Sequence, residues 1–514
     1  MTSESSALLD ALAAIVGGQH VVIDEATRRL ASADIFLWPD AVVADLVVRP
    51  GSTDETARVV SLLASEHMAM VPRGAGLSYT AGTVPHAPAT IVETARLDAI
   101  DINADDLYAV VGAGCTWEKL AEALRPHGLR AVQSGPISGS HSTIGGAASQ
   151  GMPGGLDGII GLTVVLPDGS VARTGSGART GASPFQRYSG PDLTGLFLGD
   201  CGAFGIKTEV VLRLAAERPA AFASFAFADA DDLVATMVAL QQRGLVNRAF
   251  AMDQTKGEAA SKVELSEAVK ILGAVVKSAG SAGKALQDVA QLARGRTTLH
   301  NHSWSLHLTV EAATEVAADA QMSLARGSVR EQFGERALAI DNIVPKALRA
   351  KPHSIRGLVG PQGERWVPVH GILPLSRARA CMAALRAHLA AQDQALASTG
   401  VSVQWLVSSV GAYVTIEPMF YWRDTLDAIH MAHLSERNRA RFGGIRENLA
   451  ARSLVQRLRA ELRDILDAHD AVHAQIGRYY RLTELMDPGS RDLLTLVKRA
   501  LDPEGHINPG VLGL

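Results

Sequence analysis

The sequence has few cysteines and no strong excess of charge of one sign. Cys115, Cys201 and Cys381 are far apart and give neither a disulfide framework nor a CxxC metal pair. A reducing, cytoplasmic setting is therefore expected. The net charge is only −4, from 49 basic and 53 acidic residues, and no basic cluster with interleaved aromatics occurs. Nothing in this balance points to nucleic acid or an anionic membrane as a partner.

Long apolar runs are also lacking, since no stretch approaches the ~20 residues that a membrane-spanning helix needs. The first segment, MTSESSALLDALAAIVGG, has an acidic flank and is interrupted by Asp10. It predicts an amphipathic helix capped near Ser5 or Ser6, not a signal peptide. With 514 residues and 47% hydrophobic residues, the chain is expected to be a soluble protein of two to four domains.

What the sequence does have is a glycine-rich loop, VPRGAGLSYTAGTVP, at residues 71–85. The apolar residues just before it predict a short buried strand. Its glycines let backbone amides approach a ligand closely, and successive amides in such a turn bind anionic phosphate oxygens. Arg73 is expected to add a positive charge at the mouth. The loop matches neither GxGxxG nor the GxxxxGK[ST] phosphate loop, so those nucleotide folds are not indicated.

The segments around this loop alternate between strand and helix patterns. ADLVVRP (44–50) predicts a strand and GSTDETARVVSLLASEH (51–67) a helix with acidic residues in its first turn. Strands are expected at 90–93 and 108–112, followed by a helix at 115–128 that Pro126 and Gly128 end. The chain therefore begins as a βαβ-rich, α/β arrangement.

A second glycine cluster, GPISGSHSTIGGAASQGMPGG, occupies residues 135–155. It is followed at once by LTVVLPDGSVARTG, which predicts two strands joined by a Pro-Asp-Gly turn. A loop rich in small hydroxyl residues between packed elements is more typical of a ligand wall than of a linker. Residues 191–214, PDLTGLFLGDCGAFGIKTEVVLRL, again lead from a glycine turn into a long strand.

These motifs, in this order and followed by LDPEGHINPG at 501–510, resemble the FAD-binding motifs of the vanillyl-alcohol oxidase and p-cresol methylhydroxylase family. That family also includes FAD-linked D-lactate, glycolate and 2-hydroxyglutarate dehydrogenases. The resemblance is strong over roughly residues 40–215 and good over 470–514. It implies an α+β fold with a two-subdomain FAD-binding domain of the p-cresol methylhydroxylase type and a ferredoxin-like, antiparallel-sheet cap domain.

The resemblance also implies where the domains divide. We expect an N-terminal helical segment at 1–36, the FAD-binding domain at 37–217, and the cap or substrate domain at 218–469. A C-terminal segment at 470–514 would return to the FAD domain. Strands are expected in the cap at 301–313, 365–376 and 411–422, and a helix-rich insertion of small residues around 255–295.

FAD is the cofactor that the resemblance implies. In the family, the first loop holds the pyrophosphate, the second cluster lines the ribityl and isoalloxazine region, and a later strand contacts the adenine side. The C-terminal tail returns to the flavin. The residues of this chain that match those positions are Arg73, Gly74, Ala75, Gly76, Leu77 and Ser78; Ser142, Thr143, Ile144, Gly145, Gly146, Ser149 and Gly151; Gly205 and Ile206; and Asn508.

The phenol-oxidising branch of the family binds its substrate as a phenolate through a loop tyrosine and a Tyr-Arg pair. Tyr79, Tyr480 and Arg481 match those positions. A permanent cation and two phenolic donors favour the charged form of a bound phenol. Electron release from the phenolate would then promote hydride loss at the para carbon to flavin N5. The leading expectation is therefore an oxidoreductase acting on an alcohol or benzylic carbon of a para-hydroxylated aromatic, such as vanillyl alcohol or an alkylphenol.

The phenol oxidases place an acid just before the second glycine cluster, and here that stretch, GPISGSHS, has no carboxylate. His370, on an expected cap strand, is the alternative base, because its ordinary pKa suits proton transfer near neutrality. In some relatives a cap residue is bonded covalently to the flavin. The spacing from His370 to Pro374 differs by one from that pattern, which favours noncovalent FAD and leaves a structural role for His370 open.

A 2-hydroxyacid dehydrogenase of the D-lactate or glycolate type is the alternative enzyme. Arg478, Arg356 or Arg365 would then clamp a carboxylate. That branch often carries a metal site with a GDGN motif and a Glu-His pair, neither of which is present, so no metal is expected. His430 and His433 have a spacing compatible with metal ligation, but a solvated helix face is the favoured interpretation. A flavin-binding protein without turnover is a third alternative.

The partners expected are a small organic substrate and an electron acceptor, which oxygen, a quinone or a cytochrome would supply. No nucleic acid is expected. Homodimers are common among relatives, so a homodimer is a further possibility.

Overall fold

The computed structural model describes residues 3–133, 135–136, 138–152, 155–256, 303–350 and 358–514. Nearly all of the insertion expected around 255–295, and Arg356, lie outside the described residues.

The strands fall into three sheets. In chain order they are β1 (Val21–Val22), β2 (Leu46–Val48), β3 (Met70–Arg73), β4 (Thr90–Glu93), β5 (Ile100–Asn103), β6 (Tyr108–Gly112), β7 (Leu129–Ala131), β8 (Ile159–Val165), β9 (Val171–Arg173), β10 (Ile206–Ala216), β11 (Ala220–Phe227), β12 (Arg248–Asp253), β13 (Trp304–Glu311), β14 (Leu338–Ile340), β15 (Glu364–Pro368), β16 (Gly371–Pro374), β17 (Ser402–Val410) and β18 (Tyr413–Arg423).

The α-helices of the described residues cover the sheets and the chain ends. They are α1 (Ser3–Val16), α2 (Glu25–Ala31), α3 (Thr53–Ser65), α4 (Trp117–Leu124), α5 (Ile144–Gln150), α6 (Leu193–Leu196), α7 (Ala230–Gln242), α8 (Glu315–Phe333), α9 (Ile343–Ala350), α10 (Ala378–Ala390), α11 (Asp393–Thr399), α12 (Ala428–Ala432), α13 (Glu436–Phe442), α14 (Leu449–Asp467), α15 (Leu482–Leu485) and α16 (Pro488–Leu501).

The first sheet has the order β1-β2-β4-β3, with β2 and β3 both parallel to β4. Helix α3 connects β2 to β3, as the βαβ prediction required. Ser52 caps α3, because its hydroxyl accepts a hydrogen bond from Glu55 N at 3.0 Å. The buried face of the helix, Val59, Val60 and Leu63, packs in one core with α1 and the first sheet. The glycine-rich loop leaves the carboxyl end of β3, at the centre of this packing.

The second sheet is antiparallel, with the order β5-β6-β10-β8-β9 and β7 paired to β10. Its central strand, β10, is the long strand expected after the third glycine motif. Apolar residues of this sheet share a core with α4 and α5. This packing places the second glycine cluster, which contains α5, against the first loop.

The third sheet, here called the cap sheet, contains β11 to β18, and all its pairings are antiparallel. Alternate residues of β18 point to opposite faces. Val414, Ile416, Phe420 and Trp422 join the core formed with α7, α8, α10 and α14. Thr415, Glu417, Met419 and Tyr421 belong to the other face. The cap sheet therefore presents one apolar face to its helices and one more polar face to the rest of the chain.

The mixture of helices and antiparallel sheets confirms the expected α+β class. Two local predictions are corrected. The strand expected at 365–376 is interrupted between Pro368 and Gly371, since Val369 N donates to Pro418 O at 3.0 Å outside the regular ladder. The N-terminal helix begins at Ser3, before the cap expected at Ser5 or Ser6. The four domain limits stay predictions.

Within the described part of the chain, no helix is both long enough and apolar enough to cross a bilayer. The three cysteines are buried with free thiols.

Candidate active site

The first glycine-rich loop, Gly74–Ser78, is supported on the side away from the cleft by the Arg73 side chain. The guanidinium donates to Ala33 O at 2.8 Å and to Leu30 O at 3.2 Å, at the carboxyl end of α2. A side chain at Gly76, whose φ is +69°, would overlap this guanidinium. The expectation that the Arg73 side chain places its charge at the mouth is therefore wrong: it supports the loop from the protein side. Burial lowers the pKa of this arginine.

The two glycine motifs touch each other. Thr143 caps α5, since its Oγ1 accepts a hydrogen bond from Gly146 N at 3.1 Å. A side chain at Gly74 would overlap this same Oγ1, and a Cβ at Gly145 would lie 2.5 Å from that of Ala113. Glycine is therefore needed at both positions so that the loop, α5 and the second sheet can approach closely.

A cleft of about 880 Å³, counted with its open mouth, lies between the two motifs. It is bordered by most of the residues expected to bind FAD: Arg73, Gly74, Ala75, Gly76, Leu77, Ser78, Ser142, Thr143, Gly145, Gly146, Ser149, Gly151 and Ile206. Further residues on its wall were not expected from the sequence, among them Thr83, Thr94, Gln150, Cys201, Lys207 and Gln475.

Three of the expected cofactor residues lie behind this wall. Ile144 is buried in the core of the second sheet. At Gly205 a Cβ would lie 2.6 Å from Val165 O, so this glycine permits the turn into β10. Asn508 donates to Gly82 O and to Cys201 O, each at 2.8 Å, and so joins the C-terminal tail to both sides of the cleft.

The cleft wall has hydrogen-bonding capacity that the described residues leave unused. Among them, Gln150 Oε1 and Thr83 Oγ1 are buried and have no hydrogen-bond partner. Buried polar atoms without a partner are costly, so they indicate a polar ligand. One side of the cleft is glycine backbone that a ligand can approach closely, and the other carries unpaired polar atoms. This combination fits a nucleotide cofactor such as FAD.

Next to the cleft, the structure brings together three residues that the sequence predicted separately. The hydroxyls of Tyr79 and Tyr480 lie 3.4 Å and 3.3 Å from His370 Nδ1. Gln475, on the cleft wall, donates to the Tyr79 hydroxyl at 3.4 Å. The tyrosine–histidine cluster is thus continuous with the proposed flavin cleft through Gln475.

His370 lies in the interruption between β15 and β16 rather than on a strand. Its backbone N donates to the Tyr480 hydroxyl at 2.9 Å, and its Nε2 accepts a hydrogen bond from Ala474 N at 3.2 Å. Burial lowers the pKa of His370 to about 3. The imidazole is therefore neutral near pH 7, and its acceptor nitrogen is already engaged. Nδ1 consequently carries the proton and faces the two tyrosine oxygens.

The structure does not bring Arg481 to the tyrosine pair. Its Nη2 lies 2.8 Å from Asp464 Oδ1 and 2.6 Å from Asp467 Oδ2. Asp467 also accepts from His473 Nε2 at 2.8 Å, and the His473 ring stacks on Tyr480 with centroids 3.9 Å apart. Arg481 therefore supports Tyr480 from behind, through Asp467 and His473.

The described arginines that were expected to clamp a carboxylate are also engaged. Arg478 donates to Ala81 O at 2.6 Å, to Asn508 Oδ1 at 2.9 Å and to Pro509 O at 2.7 Å. Burial lowers its pKa to about 10. Arg365 is fully buried and pairs with Asp427 at 2.6 Å. Arg478 thus joins the C-terminal tail to the first loop, and Arg365 stabilises the cap.

Glu417 is the residue of this region that sequence reasoning missed. It lies on β18, and burial raises its pKa to about 7. Its negative charge contributes to raising the pKa of both Tyr79 and Tyr480, so the carboxyl is electrostatically coupled to both phenols. A single carboxylate within the apolar strand sequence TIEPMFYW is the signal that could have identified it, because an acidic residue is rarely placed in a buried strand without a role.

His430 and His433 do not form a solvated pair. His430 is buried, burial lowers its pKa to about 3, and neither ring nitrogen has a hydrogen-bond partner among the described residues. His433 packs edge-on against His141, with ring centroids 4.9 Å apart. The expected solvated helix face is therefore wrong for His430.

Comparison with known proteins identifies the part of the chain that forms the cleft. Residues 44–175 match the family model of an FAD-binding domain. Glycolate oxidase subunit GlcD of Bacillus subtilis (strain 168) is 33% identical over 186 residues, which cover 34% of this chain and 37% of that protein. The matched region is therefore well under half of the relative's length.

Solved structures match over the whole chain. A 4-ethylphenol oxidase from Gulosibacter chungangensis, in complex with isoeugenol, covers 100% of this chain and 98% of its own, with a TM-score of 0.73 and 17% identity. A substrate-bound p-cresol methylhydroxylase gives the same coverage and TM-score at 16% identity. At these identities the likeness describes the fold.

The cleft and the matching domain define the chain as an FAD-binding protein. Residues 44–175 form an FAD-binding domain, and the fold of the whole chain is similar to that of p-cresol methylhydroxylase. The expectation of FAD as cofactor is confirmed.

Proposed function

We propose that the chain transfers a hydride from an alcohol or benzylic carbon of a para-hydroxylated aromatic to FAD. The observation that carries this proposal is the convergence of the Tyr79 and Tyr480 hydroxyls at His370, beside a cleft that fits FAD. Phenolic donors on one side and a flavin on the other form a site suited to an aromatic hydroxyl. Bound FAD supplies the hydride acceptor, flavin N5.

The two tyrosines would hold the substrate hydroxyl as hydrogen-bond donors. Burial, more than any other factor, raises the pKa of both phenols, and Glu417 adds to the effect. Both hydroxyls therefore remain protonated near neutrality and can donate. Arg481 is paired with two aspartates. The phenolic oxygen of the substrate would therefore be bound by the neutral tyrosine hydroxyls and would not contact a free guanidinium.

Glu417, rather than His370, is the residue we assign as proton acceptor. As hydride leaves the carbon para to the phenolic oxygen, the phenolic proton must go to a base. A carboxylate with a pKa of about 7 is suited to that transfer near neutral pH, whereas an imidazole with a pKa of about 3 is a weak base. His370 would instead position the two tyrosine hydroxyls through Nδ1.

Oxidation of a 2-hydroxyacid is the second candidate, and the match to glycolate oxidase subunit GlcD favours it. A carboxylate substrate would need a cation. Arg73 and Arg478 are bound to backbone carbonyls and Arg365 to Asp427, while Arg459 donates to Tyr79 O and stacks on the Tyr479 ring. The contacts of these side chains therefore favour the aromatic substrate.

Anaerobic reduction of the bound flavin tests the proposal. 4-Hydroxybenzyl alcohol or a para-alkylphenol should bleach the flavin absorbance, whereas benzyl alcohol, which lacks the para-hydroxyl, should bleach it much more slowly. Bleaching by glycolate or D-lactate and not by the phenols would establish the second candidate. Retention of colour with every substrate would favour a flavin-binding protein without turnover. Exposing the reduced protein to oxygen, a quinone or cytochrome c then identifies the electron acceptor.

A further inference from the structure

Away from the cleft, two histidines and a carboxylate meet on the surface. His67 Nδ1 lies 2.7 Å from Glu504 Oε2, and His506 Nε2 lies 3.2 Å from the same oxygen. One ligand atom from each residue lies within 4.8 Å of the other two. His67 is distant in the chain from Glu504 and His506, so the fold brings it to the other two.

We infer that His67, Glu504 and His506 bind one Zn²⁺ ion, with water completing the coordination. Two imidazole nitrogens and a carboxylate oxygen form a ligand set that zinc accepts, with a fourth position left for water. Ligand atoms about 2.0–2.1 Å from a tetrahedral zinc are roughly 3.3 Å apart. The two separations from Glu504 Oε2, 2.7 and 3.2 Å, are close to this value, and rotation of the exposed His67 and Glu504 side chains would adjust the rest.

The backbone around the three ligands is held independently of any ion. His67 has a φ of +53°, just beyond the end of α3, where Met68 N donates to Leu63 O at 2.9 Å. Histidine, like asparagine, is among the non-glycine residues that adopt this left-handed conformation most often. On the other side, Asp502 accepts from His506 N at 2.8 Å and from Ile507 N at 2.9 Å.

A zinc ion here would join the C-terminal tail to the strand that leads into the first glycine-rich loop. Met70 N donates to His506 O and Asn508 N donates to Met70 O, each at 2.7 Å, so the tail runs beside β3. Asn508 then contacts both sides of the cleft. The site would act as a structural clamp on this tail and would take no part in the oxidation itself.

Zinc binding to the flavin-loaded full chain, purified without a histidine tag and dialysed against EDTA, tests this inference. Isothermal titration with ZnSO₄ should give one ion per chain, and Zn²⁺ should raise the midpoint of thermal unfolding. Glu504→Gln and His67→Asn should each weaken binding about tenfold or more and abolish the thermal shift. Asparagine is chosen at 67 because it tolerates a positive φ.

Glu66→Gln is the matched control, since Glu66 is an exposed neighbouring carboxylate outside the cluster. It should bind zinc and respond to it as the unmodified chain does. Circular dichroism and flavin content verify that each variant is folded. Absence of binding by the unmodified chain, or equal affinity in folded Glu504→Gln, would overturn the inference.

Discussion

At the scale of single residues, two adjacent tyrosines differ in what their hydroxyls do. The Tyr480 hydroxyl accepts from His370 N at 2.9 Å and lies 3.3 Å from His370 Nδ1. The Tyr479 hydroxyl is buried and has no hydrogen-bond partner among the described residues. The pair therefore provides a substitution and its control at neighbouring positions of one segment.

We expect Tyr480→Phe to slow flavin reduction by the phenolic substrate and to weaken its binding, because one donor to the substrate hydroxyl is lost. The fold should lose about 1–3 kcal/mol, since the amide of His370 is left without its acceptor. Tyr479→Phe should have little effect on either quantity. Rapid-mixing spectroscopy and thermal unfolding measure both; equal kinetics in the two variants would contradict the role given to Tyr480.

Glu417 has a raised pKa, which links its charge to the stability of the fold. The ordinary pKa of this carboxyl is 4.5, and in the folded chain it is about 7. The folded state therefore binds the proton more tightly than the unfolded state. Its contribution to stability is complete below pH 4.5 and is lost as the pH rises through 7.

Glu417→Gln should consequently raise the thermal midpoint at pH 8 relative to the unmodified chain and change it little at pH 4. The same variant should slow flavin reduction on the order of 10²- to 10⁴-fold and remove the limb of the pH–rate profile near pH 7. A variant that keeps the full rate and the same pH profile would show that another group accepts the proton.

At the scale of elements, the cleft depends on close packing between the first loop and α5. A side chain at Gly74 would overlap Thr143 Oγ1, the atom that caps α5. Gly74→Ala should therefore separate the loop from the helix and lower the flavin content of the purified protein. Gly18→Ala is the control, because a Cβ at Gly18 has open space around it. Absorbance at the flavin band relative to protein measures the effect, and equal flavin content in both would contradict it.

The first loop and α5 show how much of the cleft could be predicted from the sequence. The glycine motifs identified the loop and α5, because backbone requirements are local and leave a residue pattern. The direction of the Arg73 side chain depends on the carbonyls of Ala33 and Leu30, which are far from it in the sequence. For the same reason, only one residue of the expected Tyr-Arg pair reaches the tyrosine–histidine cluster. The Tyr480 hydroxyl contacts His370, whereas the Arg481 side chain pairs with Asp464 and Asp467.

Glu417 shows a second property that could not be predicted from the sequence, the pKa of a buried carboxyl. Its strand was expected, but its electrostatic coupling to the two tyrosines joins residues that are far apart in the sequence. No local pattern encodes a raised pKa, which depends on burial.

At the scale of the whole molecule, the cleft is lined by residues from several segments, and we expect FAD to bind there noncovalently. Cys201, on the cleft wall, has a pKa raised to about 12 by burial, so its thiol is not a nucleophile at neutral pH. Both ring nitrogens of His370 have protein partners. Precipitation with trichloroacetic acid should leave the yellow colour in the supernatant. Colour in the washed pellet would contradict this expectation and indicate a covalent flavin.

The contacts of Asn508 also determine when the cofactor can be captured during biosynthesis. Gly82 and Cys201 emerge from the ribosome well before the residue that joins them across the cleft. While the tail is unmade, both carbonyls lack this donor and Met70 of β3 lacks its backbone hydrogen bonds to His506 and Asn508. We therefore expect stable FAD capture to follow synthesis of residue 508, because a shorter chain lacks the link between the two sides of the cleft.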